Sequence, residues 1–468
     1  MAVTVFTGPA AAQAASRFDM FFSDKTMRVD YFHTGGMGTE IVTLDRVVSD
    51  GPWPGSRTRL LDETNRGRYL FDVVDPETNQ VLYSRGFSSL YGEWQTTGEP
   101  RTQHKTLHES LRFPWPKAPV HVILKKRERG MPFREFWSTS IDPNSRFVNA
   151  ADRIASGTVW TVFTNGPSSE KVDLLVLGDG YTAAQMPKFH ADVERLIGAL
   201  FATDPYKSRK SDFNVRALGL PSDAPGVNRP QAGRFRRTPL SVEYNVFDTE
   251  RYVLTTDNRA LRDIASAAPY DAIEILANEQ AYGGGGIFNF QATASVDTVY
   301  AEYLFIHEFG HHFADLADEY YTSAVAYETG KAAQLEPWEP NITALLDPAT
   351  LKWRDLVEQG TPLPTPWDKD VYDRQSRELQ VKRRDLLAKG APQSEIDALF
   401  KSEEDWSTKM VASLQYSGKV GAFEGGGYES QGLYRPQADC IMFTRNKVGF
   451  CRVCTRAIER IIDLYARP

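Results

Sequence analysis

His307 and His311 stand four residues apart in the stretch FIHEFGHHFADLADEYY (305–321), with Glu308 between them. On an α-helix, residues i and i+4 share one face. Two imidazoles so placed can ligate one zinc ion, and the carboxylate between them lies beside the metal rather than on it. Zinc lowers the pKa of a bound water towards neutrality and polarises a carbonyl. Glu308 is then placed to take the water's proton and pass it to a leaving amine. This spacing points to metal-assisted amide hydrolysis. Such a short motif also arises by chance, so its context matters. Here Leu304, Phe305, Phe309, Phe313 and Leu316 give the segment a buried face, and a buried Glu308 without a task would be an unfavourable charge.

Two histidines leave a catalytic zinc one protein ligand short. A turn three residues beyond the second histidine and a ligand six residues beyond it would fall on Ala314 and Ala317, and alanine cannot bind zinc. Along a continuous helix Asp318 would lie about 10 Å from His311, too far to share a metal. A ligand at Asp318 therefore requires the helix to break within FADLAD. Asp318 ranks first, Glu319 second and Asp315 third, the last better suited to support a histidine than to touch the metal.

The elements that must position these residues follow from the hydrophobic pattern. From Arg17 to about Pro143 the chain reads as short alternating runs, among them TMRVDYFHTG, RYLFDVVD, QVLYSRGFSSLYGEWQTT, PVHVILKKRE and REFWSTSID. Turn signals such as GPWPGS and DPETNQ separate them, which predicts an antiparallel β-sandwich over residues 17–150. DPNSRFVNAADR reads as a linker. Beyond it, KVDLLVLGDGYT, FNVRALGL and YDAIEILANE read as strands alternating with helices, an α/β layer within a domain of residues 160–468. The histidine segment reads as a helix opening at TVYAEY. Residues 370–415 carry charged helical spacing interrupted at Gly390-Ala391-Pro392, a helical hairpin inserted into that domain. GAFEGGGYESQGLYRPQADCIMF reads as a loop and CRVCTRAIERIIDLYA as a closing helix.

The 468 residues carry a net charge of −7 spread along the chain, without a basic patch that would favour nucleic acid and without an apolar run long enough to span a membrane. Cys440, Cys451 and Cys454 all lie in the last 30 residues. An odd, clustered set favours one local disulfide or buried thiols, although CxxC also fits a redox or metal site. The alanine-rich start with its AQA stretch favours export, to the periplasm or outside the cell, although no positive charge precedes Arg17.

The chain resembles the immunoglobulin A peptidase family of zinc metallopeptidases, within the metzincin group. HEFGHHFADLADEY, VDLLVLGDGYTAAQMPKF and VGAFEGGGYESQGLYRPQADCIMF with FCRVC carry the resemblance. FDMFFSDKTMRVDYFHTG and YSRGFSSLYGEWQTT are similar to that family's β-rich N-terminal domain. The resemblance implies that His307, His311 and the carboxylate at Asp318 bind one Zn²⁺ and that Glu308 is the general base. It further implies that Met442, in DCIMF, forms the methionine turn beneath the metal. The chain departs from the pattern at Ala314, where a glycine would ease the turn after the helix.

Two further stretches are candidate substrate contacts. GGGGIFNFQ could form a sheet edge at Gly285 and Gly286 that pairs with an extended peptide. Tyr428 and Tyr434 could stabilise the oxyanion of the attacked carbonyl. The expected function is a zinc endopeptidase acting on proteins or peptides, glycoproteins included, through a zinc-bound water activated by Glu308. The alternative is a secreted glycan- or protein-binding adhesion protein with a vestigial zinc site.

Overall fold

The computed structural model describes residues 17–128, 130–151, 157–322 and 335–466. The AQA stretch and part of the linker fall outside the described residues. The N-terminal strands are β1 (Phe22–Gly36), β2 (Thr39–Ser49), β3 (Tyr69–Val74), β4 (Val81–Phe87), β5 (Lys105–Pro116), β6 (Val120–Lys126), β7 (Arg134–Ile141) and β8 (Val148–Asn149). They form two four-stranded sheets, ordered β5-β1-β2-β8 and β4-β3-β6-β7. Neighbours are antiparallel except β2 and β8, which run parallel. One core joins them, with Met27, Val29 and Tyr31 of β1 packed among Phe71, Val73, Phe113 and Val122.

SLYGEW, read above as strand, begins a short helix, Leu90–Trp94. The Ser89 side chain accepts a hydrogen bond from the Gly92 N–H, a local bond that outweighs the aromatic preference for strand. Leu90, Tyr91 and Trp94 leave the β region and enter the core of the following layer.

That layer is a six-stranded sheet built from β9 (Trp160–Phe163), β10 (Val172–Asp179), β11 (Phe213–Gly219), β14 (Ala272–Ala277), β15 (Gly284–Ile287) and β16 (Gln291–Ser295). A small pair, β12 (Val242–Glu243) and β13 (Leu254–Thr255), stands apart. The order is β15-β16-β14-β10-β11-β9, with parallel inner strands and antiparallel edges. β10 is buried throughout, as an apolar run between two covered faces must be. One face packs on the helices Met186–Leu200, Ala301–Ala314 and Arg452–Ala466, the other on Asn258–Ala265. The helical hairpin comprises Lys369–Ala388 and Gln393–Ala412, with Gly390 left-handed at the break (φ 63°). The stretch read as a loop after residue 421 contains a hairpin, β17 (Phe423–Gly426) with β18 (Glu429–Arg435), which its glycines disguise.

Both faces of β1 are buried, which explains the charges within TMRVDYFHTG. Arg28 reaches Asp50 (2.7 Å) and Asp263 of the Asn258–Ala265 helix (2.6 Å), so an ion network joins the β region to the α/β layer. Buried ions need such full pairing. His33, also buried, lies between Glu109 (3.0 Å) and Glu40 (2.9 Å). Burial alone would lower its pKa, but Glu109 and Glu40 together raise it above the ordinary 6.5. A base held more tightly protonated in the folded state stabilises fully below its unfolded pKa and loses that contribution as pH rises through its folded pKa. The parent's advantage in unfolding temperature over a His33→Gln variant should therefore be largest below pH 6.5 and shrink above it. An advantage independent of pH would show that His33 acts in its neutral form.

Candidate metal centre

The Ala301–Ala314 helix carries both histidines and is fixed to the core by Phe305, Phe309 and Phe313, each buried. It also presses on β15. A Cβ at Gly286 would stand 2.3 Å from the Glu308 carbonyl oxygen and 2.9 Å from His311 Cβ, and one at Gly285 would meet Leu254 at 2.9 Å. The glycine run therefore lets the strand approach the helix, a packing reason that stands beside the substrate role expected of it. Part of the edge is already closed, because the Gly284 N–H donates to Arg251 O (3.0 Å) and its carbonyl accepts from Val253 N (3.1 Å). Gly286 is the half-buried member of the strand.

The helix ends at Ala314, within FADLAD, as a ligand at Asp318 would require. Asp315 is left-handed (φ 51°), and its N–H still donates to His311 O at 3.1 Å. Asp tolerates this conformation better than most residues, so no glycine is needed at Ala314. The β region secures the turn: Arg66 donates to the Ala314 carbonyl, and the Gly67 N–H donates to the Asp315 carboxylate at 2.7 Å. Asn341 then brackets Ala317, donating to its carbonyl (2.9 Å) and accepting from its N–H (2.8 Å).

Asp318 Oδ1 comes to lie 3.0 Å from His307 Nε2 and 3.3 Å from His311 Nε2, and the two Nε2 atoms are 3.1 Å apart. One face of a tetrahedron with bonds of about 2.0–2.1 Å has edges of about 3.3–3.4 Å. The Nδ1 of His307 donates to Ile441 O (3.0 Å) and that of His311 to Leu316 O (2.5 Å). Each ring, when neutral, thus turns an unprotonated Nε2 to the centre. Asp318 Oδ1 is buried and has no hydrogen-bond partner among the described residues. Three lone-pair carriers this close repel unless positive charge lies among them. Two imidazoles and a carboxylate suit a borderline divalent cation.

The carboxylate and the imidazoles stabilise one another's charge. Burial would raise the Asp318 pKa, yet His311 and His307 hold it well below the usual carboxylate range. Burial would lower His311, yet Asp318 pushes it up to about 9. Glu308 lies beside the histidines with its pKa raised, first by burial, against the lowering effect of His307 and His311. Beneath it Glu274 is fully buried and pushed far up by burial and by Glu308, which keeps it neutral.

The other expected residues divide. Met442 is fully buried, and its Sδ would stand 3.1 Å from a Cβ at Gly310. The Met442 carbonyl accepts from Glu319 N at 2.8 Å, so this segment underlies both the helix and the third-ligand loop. Glu319 faces away from the histidines, within 3.3 Å of Cys454 Sγ. The Tyr428 hydroxyl is at the site and donates to Asp318 Oδ2. Tyr434 is not at the site: its backbone pairs with Thr343 on the outer hairpin, because strand alternation turns it away.

Sequence reasoning missed several contributors. Tyr303, whose hydroxyl is 3.3 Å from His307 Nδ1, was detectable as the preceding i−4 position on the same helical face. Asn341 and Arg251, which donates to Tyr320 at 3.1 Å, left no local signal.

The centre opens into a cleft of about 990 Å³. Its walls include Glu40, Lys126 and Arg68 of the β region, Gln380 and Glu403 of the helical hairpin, and Tyr428. The family profile described as IgA Peptidase M64 matches residues 161–462, and that of the Peptidase M64 N-terminus matches residues 17–138. No curated protein matches the chain. A catalytic-region match over more than half of the sequence, with the family's N-terminal region before it, shows that the chain belongs to the IgA Peptidase M64 family of peptidases.

Proposed function

We propose that the protein is a zinc endopeptidase of metzincin type, with His307, His311 and Asp318 as the metal ligands and Glu308 as general base. The observation that carries this reading is the convergence of three ligand atoms, from buried His307 and Asp318 and half-buried His311, beside Glu308 at the floor of an open cleft. When bound, the ion supplies Lewis acidity, acidifying water and polarising the peptide carbonyl. Glu308 holds a proton more readily than an ordinary carboxylate. It can therefore take one from water and release it to the departing amine. Tyr428 positions Asp318, and Met442 supports the helix from below. The left-handed end of the helix and the underlying methionine favour the metzincin assignment. Export to the periplasm or beyond belongs to the same reading and rests on the alanine-rich start of the sequence.

The substrate is a protein or peptide, glycoproteins included, held in a cleft whose walls carry both signs of charge. Around Gly286 an extended chain could pair with the free part of the edge.

Glu308→Gln should leave the metal in place and lower kcat on a proteome-derived peptide library by about 10²–10⁴-fold, the usual weight of a general base. Cleavage at the parental rate would remove Glu308 from the mechanism. Absence of cleavage by both proteins on that library would favour a binding protein with a vestigial site.

Asp318→Ala should abolish tight metal binding. Tyr428→Phe should weaken it about 10–100-fold, as loss of a group that orients a ligand does. Tyr434→Phe should leave it unchanged. Calorimetric titration of the metal-free proteins measures all three, and equal affinities for the Tyr428 and Tyr434 variants would contradict the positioning role.

A further inference from the structure

The carboxylate next to Asp318 belongs to a second cluster. Glu319, Cys440, Cys451 and Cys454 are all buried, and their ligand atoms lie within 4.8 Å of one another. Cys440 Sγ is 3.9 Å from Cys454 Sγ, and Glu319 Oε1 is 3.3 Å from Cys454 Sγ and 4.0 Å from Cys451 Sγ. A disulfide needs sulfurs about 2.0 Å apart. All three cysteines are free and buried, so of the two readings the sequence favoured, the structure has the buried thiols and not the local disulfide. A tetrahedron of Zn–S bonds of about 2.3 Å has S···S edges of about 3.8 Å, close to the 3.9 Å between Cys440 and Cys454. We propose that Glu319, Cys440, Cys451 and Cys454 form a second, structural metal site that takes a thiophilic divalent cation, zinc above all.

Three further features support it. Backbone N–H groups point at the sulfurs, Cys451 N to Cys440 Sγ at 3.3 Å and Cys454 N to Cys451 Sγ at 3.4 Å, as they do around metal-bound thiolates. Cys451 and Cys454 sit at the start of the 15-residue Arg452–Ala466 helix, where the dipole favours thiolate. Glu319 Oε2 is buried without a hydrogen-bond partner among the described residues, while Asn341 orients Oε1 at 3.0 Å. A carboxylate enclosed by three thiols has little reason to be there unless a cation joins them.

The consequence is mechanical. Such a cation ties Glu319, next to Asp318, to Cys440, next to the Ile441 carbonyl that orients His307. It would fix two supports of the first centre from the side remote from the cleft. Closed four-coordinate sites of this kind contribute folding energy rather than chemistry.

Reconstitution of the full chain with Co²⁺ under reducing, chelator-free conditions tests this, because thiolate-to-cobalt charge-transfer absorption in the near ultraviolet arises only from the cysteine site. We expect about two metal equivalents per chain with that absorption. A His307→Ala/His311→Ala variant, which leaves every cysteine in place, should lose one equivalent and keep the absorption. Cys451→Ser/Cys454→Ser should lose the absorption and retain the other equivalent. A histidine variant without thiolate absorption would overturn the proposal, as would a disulfide among the three cysteines in the parent, found by alkylation and mass measurement before any reductant is added.

Discussion

Asp315 takes a left-handed backbone at the end of the histidine helix, and this single conformation converts two histidines on a helix into a three-sided site. A non-glycine residue held there costs about 1–3 kcal/mol. The surroundings compensate for it through the Gly67 N–H on the Asp315 carboxylate and Arg66 on the Ala314 carbonyl. Both donors come from the N-terminal β region. That region therefore does more than wall the cleft, since it secures the turn that delivers Asp318.

Beyond the turn, two adjacent carboxylates leave the chain on opposite sides. Asp318 meets the imidazoles, and Glu319 meets the cysteines. The peptide N–H of Glu319 donates to Met442 O, so this backbone is held from beneath while each side chain serves a different cluster. Ile441 and Met442 lie directly after Cys440, and the same short segment thus orients His307 through Ile441 O and anchors Glu319. Three pieces, the helix end and, more than 120 residues later, the Met442 segment and the start of the last helix, meet within one core.

The legible and illegible parts of this arrangement follow from range. His307, Glu308 and His311 are readable because a helix places i and i+4 together without outside help. Asp318 is readable only as a condition, that the helix break within FADLAD. Nothing local separates it from Glu319, whose neighbours Cys440, Cys451 and Cys454 lie more than 120 residues away in the sequence. The alternating strands of the β region and the buried strands of the α/β layer are legible from their periods. SLYGEW is not, since one Ser89 side-chain bond decides it. The glycines at 284–286 stand out in the sequence, but their cause, the close approach of the histidine helix, is a tertiary one.

The geometry also separates chemistry from selection. The candidate metal centre is held by backbone carbonyls, a tyrosine hydroxyl and the core, with Nδ1 bonds to Ile441 and Leu316 fixing both rings. The cleft walls are built differently, from the β region, the helical hairpin and the β17–β18 turn, with charges of both signs and half-exposed side chains. A centre anchored to the core keeps its ligand distances whichever peptide enters. Wall residues that, unlike Tyr428, do not touch Asp318, and that leave its turn to Arg66 and Gly67, can discriminate among peptides without disturbing those distances. Substrate preference is therefore to be sought in Glu40, Arg68, Lys126, Gln380 and Glu403 rather than in the residues that perform hydrolysis.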